Sequence, residues 1–353
     1  VPAAVRRSGV RVAPAHEVLG VPVQQLRELC DVVALPVAER GAVHLDAAVA
    51  RMLKFVRFLR LGDGSLGHFN GMGATPFDSM ATLLAYDPAP HLGLNAAAAS
   101  NYACLARGPM RILLDAGSPP PIEHAARAAA GTLSFELSVG AHPIFVNAGA
   151  PGPADQEWYS ASRATSSHNT LVLGARSSSR LVRNTRLSRL VGGTPIRCPD
   201  NARGNVSAVS DGDGEVFEGE HDGYVADFRL LHARRLTLSG DGRRLVGEDR
   251  IASIRDNSTR LPRDVPFSVH FHLHPDVTCR AGEAPEVVIV DPGDGLLWYF
   301  RSYKATVSIE DSTHFADLSG PRKSRQIVLR GACFGDTTVR WSFEQLGEVP
   351  AMR

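Results

Sequence analysis

A change in hydrophobic period, from helical to alternating, constrains the fold of this chain more than any other feature. From about residue 95 onward, apolar residues recur at every second position in short segments that end in glycine or aspartate. In "LSFELSVG", Leu133, Phe135 and Leu137 alternate with polar residues, which is the period of a β-strand with one buried face. The turns at 240–242 and 292–295 predict two hairpins. Short strands without helices between them favour a large antiparallel β-sandwich.

The first part of the chain has the period of helices instead. The apolar residues of "HLDAAVARMLKFVRFLR" share one helical face, namely Leu45, Val49, Met52, Leu53, Val56 and Leu59. "VPVQQLRELCDVVAL" predicts a second, weaker helix, and "TPFDSMATLLAY" predicts a third after the glycine-rich loop at 61–74. We therefore expect a mainly β protein in two parts, a short helical segment at 1–92 and an antiparallel β-sandwich at 93–353.

Composition and charge exclude several classes of protein. Of the 353 residues, 44% are hydrophobic and 21% are charged, which is typical of a folded protein with a sizeable core. A formal net charge of +1 provides no basic field, so we expect no nucleic-acid partner. We expect no membrane span, because no run of about 18 apolar residues is present. Five cysteines without CxxC spacing argue against a zinc ribbon or a disulfide framework.

The beginning of the chain bears on whether it is complete. It starts at Val1 with neither a methionine nor a signal peptide. We therefore expect a fragment or a processed product, in which case the lack of a signal peptide says little about the compartment.

The stretch "SASRATSSHNTLVLG" places a histidine where a hydroxyl-rich turn enters a short strand. His168 follows Thr165, Ser166 and Ser167, and it precedes the apolar alternation that begins at Leu171. A histidine at a strand end can be a surface residue with satisfied hydrogen bonds, a metal ligand or a general acid or base. The residues alone leave these three roles open.

Two further groups of polar residues each have two interpretations. "VHFHLHPD" places His270, His272 and His274 on one side of a strand, where they either bind a metal ion or pack beneath a sheet. Packing is favoured, because neighbours two residues apart on a strand rarely converge on one ion. "EGEHDGYVADF" contains His221, Asp222 and Tyr224, which can supply an acid/base pair or a sugar-stacking ring, and a polar turn explains them equally well.

Two loops add candidate binding residues. "GHFNGMG" presents His68 and Asn70 on a glycine-rich backbone that permits close approach of a ligand, although the loop by itself favours a plain turn between two helices. "ARSSSRLVRNTRLSRL" is locally basic in an otherwise neutral chain, with Arg176, Arg180, Arg183, Arg186 and Arg189. Such a local excess of positive charge suits an acidic polymer or simply a solvated loop.

Several segments together resemble one known family. They are "AGTLSFELSVGAHPIFVNAGAP", "WYSASRATSSHNTLVL", "HDGYVADFRLLHARRLTLSGDGRRLVGEDRI", "FHLHPDV" and "RQIVLRG". Their order and spacing over roughly residues 95–345 are similar to those of the heparinase II/III-like proteins, and "MLKFVRFLRLGDGSLGHFNG" resembles the end of that family's helical toroid. The resemblance implies an incomplete (α/α) toroid followed by an antiparallel β-sandwich. Most of the toroid would then be absent from this chain.

The resemblance also implies a chemistry, the β-elimination of a uronate-containing polysaccharide. A base removes the proton beside the uronate carboxylate, and the glycosidic oxygen leaves from the neighbouring carbon. Asparagine, histidine or arginine donors neutralise the charge that develops on the carboxylate, and a tyrosine or histidine transfers the proton. The cleft is expected between the toroid and the sandwich.

Individual positions depart from the family pattern. His168 matches a family histidine that helps to bind a structural zinc in some members, but the other two ligand positions hold Ala129 and Asn147. A structural zinc needs about four ligands, so we expect neither a metal ion nor another cofactor. Arg127 occupies the place of the family's catalytic histidine; it cannot donate a proton at neutral pH, but it can clamp a carboxylate. His124 is a substitute three residues away.

These observations predict a polysaccharide lyase that acts on an acidic glycan. The catalytic candidates are His168, Asn70 and His68, and the substrate-binding candidates are Arg127, His124, Tyr224 and His221. The family's catalytic tyrosine belongs to the toroid and is not assigned in this chain. The expected partners are an acidic polysaccharide and the missing toroid, as a further segment or a second chain.

The resemblance also suggests a periplasmic or secreted protein, and two other functions stay open. The alternative to the lyase is a non-catalytic carbohydrate-binding or scaffold protein on the same fold. A weaker one is a glycan hydrolase, which would need two carboxylates about 5–10 Å apart.

Overall fold

The computed structural model describes residues 43–85, 101–151, 156–197, 199–208, 214–254, 264–333 and 335–346. The helix expected over "VPVQQLRELCDVVAL" and the domain boundary expected between residues 92 and 93 lie outside these residues.

The described residues form five α-helices, numbered in chain order: α1 Val43–Phe58, α2 Phe77–Ala85, α3 Gln156–Ser162, α4 Thr185–Leu190 and α5 Val225–Phe228. The helical period of the first segment is confirmed, because Leu53 and Val56 of α1 pack with Leu66, Met80 and Leu83 in a small separate core. No helix in the described part of the chain has the length and apolar character needed to cross a membrane.

The described residues also form eighteen β-strands. Their bounds are β1 Tyr102–Arg107, β2 Met110–Asp115, β3 Phe135–Val139, β4 His142–Phe145, β5 Leu171–Leu173, β6 Arg180–Leu181, β7 Ile196–Arg197, β8 Ala202–Ala208, β9 Glu215–His221, β10 Leu230–Leu238, β11 Arg244–Ser253, β12 Val265–His272, β13 Thr278–Ala281, β14 Val287–Asp291, β15 Trp298–Tyr303, β16 Thr306–His314, β17 Arg322–Cys333 and β18 Thr337–Gln345. Both predicted hairpins are present, β10–β11 around 240–242 and β14–β15 around 292–295.

The strands build the β-sandwich that the alternating pattern predicts. One sheet has eight strands in the order β13-β14-β15-β18-β11-β10-β9-β8, and two four-stranded sheets have the orders β1-β2-β3-β4 and β16-β17-β12-β5. Strands β6 and β7 form a small separate hairpin. Neighbouring strands within the sheets pair antiparallel, so the mainly β, antiparallel architecture is confirmed.

Aromatic side chains from all three sheets meet in one core. Trp341 of the eight-stranded sheet stacks on Phe135 with ring centroids 5.7 Å apart and meets the edge of Phe271 at 4.8 Å. The ring of Phe145 meets that of Phe343 edge to face, with centroids 4.9 Å apart. Such contacts add specific geometry to the burial of large apolar area, so this core is what holds the sheets together.

The glycine-rich loop at 61–74 joins the helical segment to the sandwich. Arg111 of β2 donates hydrogen bonds of 2.7 Å to the carbonyls of Arg60 and Phe58, just before the loop. Gly62 lies so close to β3 that a Cβ at this position would be 1.7 Å from the carbonyl oxygen of Gly140. The loop is therefore fixed against the sandwich at a point that only glycine allows.

Candidate functional site

Asn70 lies at the centre of a buried polar cluster between the glycine-rich loop and the sandwich. Its backbone φ of +48° is left-handed, a conformation that asparagine tolerates better than most residues. Its Nδ2 donates to the Tyr102 hydroxyl at 2.8 Å and to the Asp115 carboxylate at 3.2 Å, and its Oδ1 accepts from the Ala129 amide at 3.2 Å. The amide thereby ties together β1, the end of β2 and the segment that carries Arg127.

The two ionisable partners of Asn70 are shifted towards their neutral forms. Burial raises the pKa of Asp115 to about 7, so this carboxyl exchanges its proton near neutral pH. Burial, followed by the charge of Asp115, raises the pKa of Tyr102 well above its usual value of 10. Of the two, only Asp115 is suited to accept a proton at neutral pH.

Arg127 lies directly beside this cluster and is exposed. The lack of a side chain at Gly71 permits the approach, because a Cβ there would be 2.5 Å from the Arg127 carbonyl oxygen. His124 is exposed as well, in the turn that precedes Arg127. The backbone of Arg127 therefore lies next to the Asn70 loop, and its exposed side chain is accessible to a carboxylate in solution.

His168 is 3% exposed and lies against the same segment from the other side. A Cβ at Gly131 would be 2.8 Å from its ring, and Thr165 just ahead of it donates to the Ala130 carbonyl at 2.8 Å. Its Nδ1 lies 2.8 Å from the Ala164 carbonyl and must be the protonated nitrogen, because a carbonyl only accepts. Burial lowers its pKa to about 4, so the ring is neutral at physiological pH.

The residues around His168 do not fit the zinc ion that some members of the family hold. Ala129 has no donor atom, and Asn147 uses its Oδ1 to accept from the Asn169 amide at 2.9 Å. No three histidine, cysteine, aspartate or glutamate side chains within the described ranges are arranged to hold a metal ion. His168 therefore lies at the family position without the other ligands.

The ring of His68 lies in a different environment from Asn70, although only two residues separate them. Its backbone amide donates to Glu136 at 3.0 Å, and its ring meets the ring of His314 with centroids 5.1 Å apart. The structure therefore brings Asn70, Arg127 and His168 to one strip of backbone, residues 127–131, and places the His68 ring on a separate cavity.

His221 and Tyr224, expected to bind substrate, are in the interior of the sandwich, and this expectation is corrected. They are 1% and 0% exposed. The Tyr224 hydroxyl donates to the Leu171 carbonyl at 2.7 Å, and His221 bonds to His232 at 3.1 Å. Both side chains point into the core, where a glycan in solution cannot reach them.

The histidines of β12 are also explained by packing. His270 and His272 stack with centroids 6.0 Å apart. Both ring nitrogens of His272 have partners, since Nδ1 lies 2.8 Å from the Ser312 hydroxyl and Nε2 lies 2.8 Å from the Ser166 carbonyl. His274 follows the strand and lines the same cavity as His68.

The basic stretch after β5 lies beside Arg127. Arg163 fixes the residues that follow the stretch, because its guanidinium donates to the Thr194 carbonyl at 2.8 Å and to the Ala128 carbonyl at 2.7 Å. Arg180 pairs with Asp227, and the remaining arginines of the stretch are exposed, namely Arg176, Arg183, Arg186 and Arg189. The stretch thus contributes exposed positive charge to the same part of the sandwich.

Sequence reasoning missed two members of this site. Asp115 ends the buried strand "RILLD" without any motif around it, and only the register that pairs it with Tyr102 brings both to Asn70. Tyr102 could not be assigned from its position in the chain. A buried strand that ends in a carboxylate was the one available signal for Asp115.

The comparisons with known proteins agree with this architecture. The family model for "Heparinase II/III-like, C-terminal" matches residues 89–342. A curated relative is the FtsZ-localized protein C of Caulobacter vibrioides, 30% identical over 81% of this chain and 49% of the relative. The chain therefore spans about half the length of that protein.

Solved structures of two lyases have the same fold. The heparan sulfate lyase HepC from Pedobacter heparinus matches with a TM-score of 0.62 and 15% identity over 88% of this chain and 48% of that one. A heparinase III matches with a TM-score of 0.64 and 13% identity over 92% of this chain and 51% of that one. With most of the sequence matched by the family model, the chain belongs to the heparinase II/III-like, C-terminal family.

Proposed function

We propose that the chain forms the sandwich side of a polysaccharide lyase that cleaves an acidic, uronate-containing glycan by β-elimination. One observation supports this most directly. A carboxyl whose pKa is about 7, that of Asp115, shares hydrogen bonds with an amide, next to an exposed arginine. Perturbed acids of this kind concentrate at functional sites.

In this proposal each residue has a separate role. Arg127 pairs with the uronate carboxylate, and the neighbouring arginines attract the polyanion. Asn70 stabilises the charge that develops on the carboxylate when the adjacent proton leaves. Asp115 accepts that proton in its ionised form, and His168 positions the segment between them.

The experiment uses the full-length protein with a panel of uronate polymers and follows the ultraviolet absorbance of the unsaturated product. We expect Asp115→Asn to abolish the absorbance increase, and the wild-type kcat/KM to rise with pH through about 7 as Asp115 ionises. Arg127→Ala should raise KM, whereas Arg280→Ala, an exposed arginine on the edge strand β13, should not. Full activity of Asp115→Asn would exclude this mechanism.

A second candidate function is glycan binding without cleavage. Asn70 and His168 are 9% and 3% exposed, and the Asn70 amide and His168 Nδ1 are engaged by the protein itself. On this alternative the panel yields no product, but the glycan still binds and Arg127→Ala weakens that binding. Equal binding by Arg127→Ala and Arg280→Ala would refute the carboxylate clamp in either function.

A further inference from the structure

A cavity of about 250 Å³ opens on the side of the glycine-rich loop away from Asn70. We call it the histidine pocket. It is formed where this loop meets the turn after β12 and the segment after β16. Its defining side chains are Asp63, His68, Phe77, His274, Asp276, His314, Asp317, Leu318 and Arg322.

Three imidazoles in contact line the pocket. The His314 ring is 5.1 Å from that of His68 and 5.7 Å from that of His274. Burial, then the proximity of the other two rings, lowers the pKa of His314 to about 2, and burial also lowers that of His274. These two rings are therefore neutral at physiological pH and can both donate and accept hydrogen bonds.

Polar atoms behind the pocket are left without hydrogen-bond partners. They are Nδ1 of His68, Nδ1 of His314 and Oε2 of Glu136, all buried. His68 Nδ1 lies 3.3 Å from Glu136 Oε1, close enough for attraction but poorly directed for a hydrogen bond. Because buried polar groups are nearly always paired in native proteins, the unpaired nitrogens of His68 and His314, which both line the pocket, favour a site whose groups serve a ligand.

The rim of the pocket is acidic. Asp63, Asp276 and Asp317 face a single guanidinium, that of Arg322, which bonds to Asp276 at 2.6 Å and to Asp317 at 3.4 Å. The lining thus carries two more negative charges than positive ones. It attracts a cation and repels a uronate, in contrast to the arginine-rich surface around Arg127.

Two large apolar side chains flank the same opening. Phe77 is 51% exposed and Leu318 is 75% exposed. An exposed phenyl ring offers a flat apolar face to a sugar ring, and its π-system attracts an ammonium group. Neutral imidazoles, carboxylates and an exposed aromatic ring therefore meet in one cavity.

We propose that the histidine pocket binds a sugar unit that carries a free, protonated amine. The carboxylates hold the ammonium group, the imidazoles bond to hydroxyl groups, and Phe77 covers one face of the ring. This inference rests on the proposed function only in taking the ligand to be part of a glycan. It assigns the pocket a specificity opposite to that of the Arg127 surface.

The test compares two tetrasaccharides that differ in whether the amine is free or acetylated, one of glucosamine and one of N-acetylglucosamine. Titration calorimetry with the full-length protein at a pH where the amine is protonated should give at least about tenfold tighter binding of the free amine, weakened by added salt. Asp63→Asn and Asp317→Asn should each reduce that binding. Glu283→Gln removes an equivalent exposed carboxylate elsewhere and should not.

Equal binding of the two tetrasaccharides, no binding of either, or equal effects of Asp63→Asn and Glu283→Gln would each overturn this proposal. The lyase assay is separate, since it depends on uronate polymers and Asp115. If the protein binds the amine but cleaves no uronate polymer, the pocket proposal stands and the lyase proposal is refuted. If the protein cleaves a uronate polymer but does not prefer the free amine, the lyase proposal stands and the pocket proposal is refuted.

Discussion

Two buried clusters of histidines and carboxylates in this protein differ in how completely their polar atoms are paired. The first, inside the sandwich, consists of His221, His232, Arg234, Asp249 and Trp341, and we call it the core network. The second lies behind the histidine pocket. Both combine imidazoles with a buried carboxylate, so these two residue types alone do not separate them. The hydrogen bonding of their polar atoms separates the two clusters.

The core network has one consistent proton arrangement. Gly223 donates its amide to His221 Nδ1, so His221 carries its proton on Nε2 and donates to His232 Nδ1 at 3.1 Å. His232 then donates through Nε2 to Asp249 at 2.8 Å. Asp249 also accepts from Arg234 at 2.8 Å and from Trp341 at 3.1 Å.

Arg234 connects the core network to the candidate site. One of its nitrogens donates to the carbonyls of Leu133 and Asn169 at 2.7 Å each, and only its Nη2 lacks a partner in the described structure. Asn169 follows His168, so the network fixes the segment on which that histidine lies. A paired cluster of this kind rigidifies a core, whereas the orphaned atoms behind the pocket are costly without a ligand.

The largest effect that tests this contrast is the loss of the Asp249 charge. Burial opposes ionisation of Asp249, but Arg234 and the His232 hydrogen bond hold its pKa below its usual range. Asp249→Asn leaves the Arg234 charge buried without a counter-ion and should lower the free energy of unfolding by about 3–5 kcal/mol. Urea denaturation measures the loss.

The control for this variant is Asp311→Asn, since Asp311 is 92% exposed and pairs with Arg325. An exposed pair is worth about 0–1 kcal/mol. If both variants lost the same small amount, the core network would not be the stabilising element that its hydrogen bonds indicate.

Asp115 provides an intermediate case, because it is a buried carboxyl with an amide partner but no cation among its bonded partners. Its folded pKa of about 7 is above the value of about 3.9 expected in the unfolded chain. The unfolded state therefore releases the proton first, and stability should fall as pH rises from about 4 to about 7. The Asp115 contribution should then level off.

The measurement is the unfolding free energy of wild type and Asp115→Asn across this range. We expect the difference between them to change by about 3–4 kcal/mol, with the variant gaining relative stability as pH rises. Histidines with lowered pKa values, such as His168, act in the opposite direction in both proteins and cancel in the difference. A constant difference would mean that the Asp115 pKa is not raised.

The contrast also explains how much of the fold the sequence could predict. The hairpin at 240–242 was predictable because its two strands adjoin in the chain and pair in simple register, Leu238 with Leu245. The place of β18 between β15 and β11 was not, because that pairing depends on contacts far apart in sequence. Alternation reveals the strands, while the order of the strands needs the tertiary structure.

The same difference between local and distant contacts applies to the residues of the candidate site. His168 and Asn70 were proposed from local motifs and Arg127 from the family resemblance; the structure brings their backbones to one strip, and their roles stay proposals. His221 and Tyr224 were assigned to the surface because a polar stretch does not reveal that its side chains point inward. His314 was missed, because its partners, His68 and His274, are distant in the chain.

The smallest expected effect compares two buried histidines replaced by the same apolar residue. His232→Leu removes one of the hydrogen bonds to Asp249 and the acceptor of the His221 Nε2 proton, and it should cost about 1–3 kcal/mol. His314→Leu removes an imidazole whose Nδ1 is already unpaired, so the unfolding free energy should change by less than about 1 kcal/mol. His314→Leu should nevertheless lose affinity for the amino sugar. If it destabilised the protein as much as His232→Leu, the cluster behind the pocket would be structural, and the distinction between paired and orphaned clusters would fail.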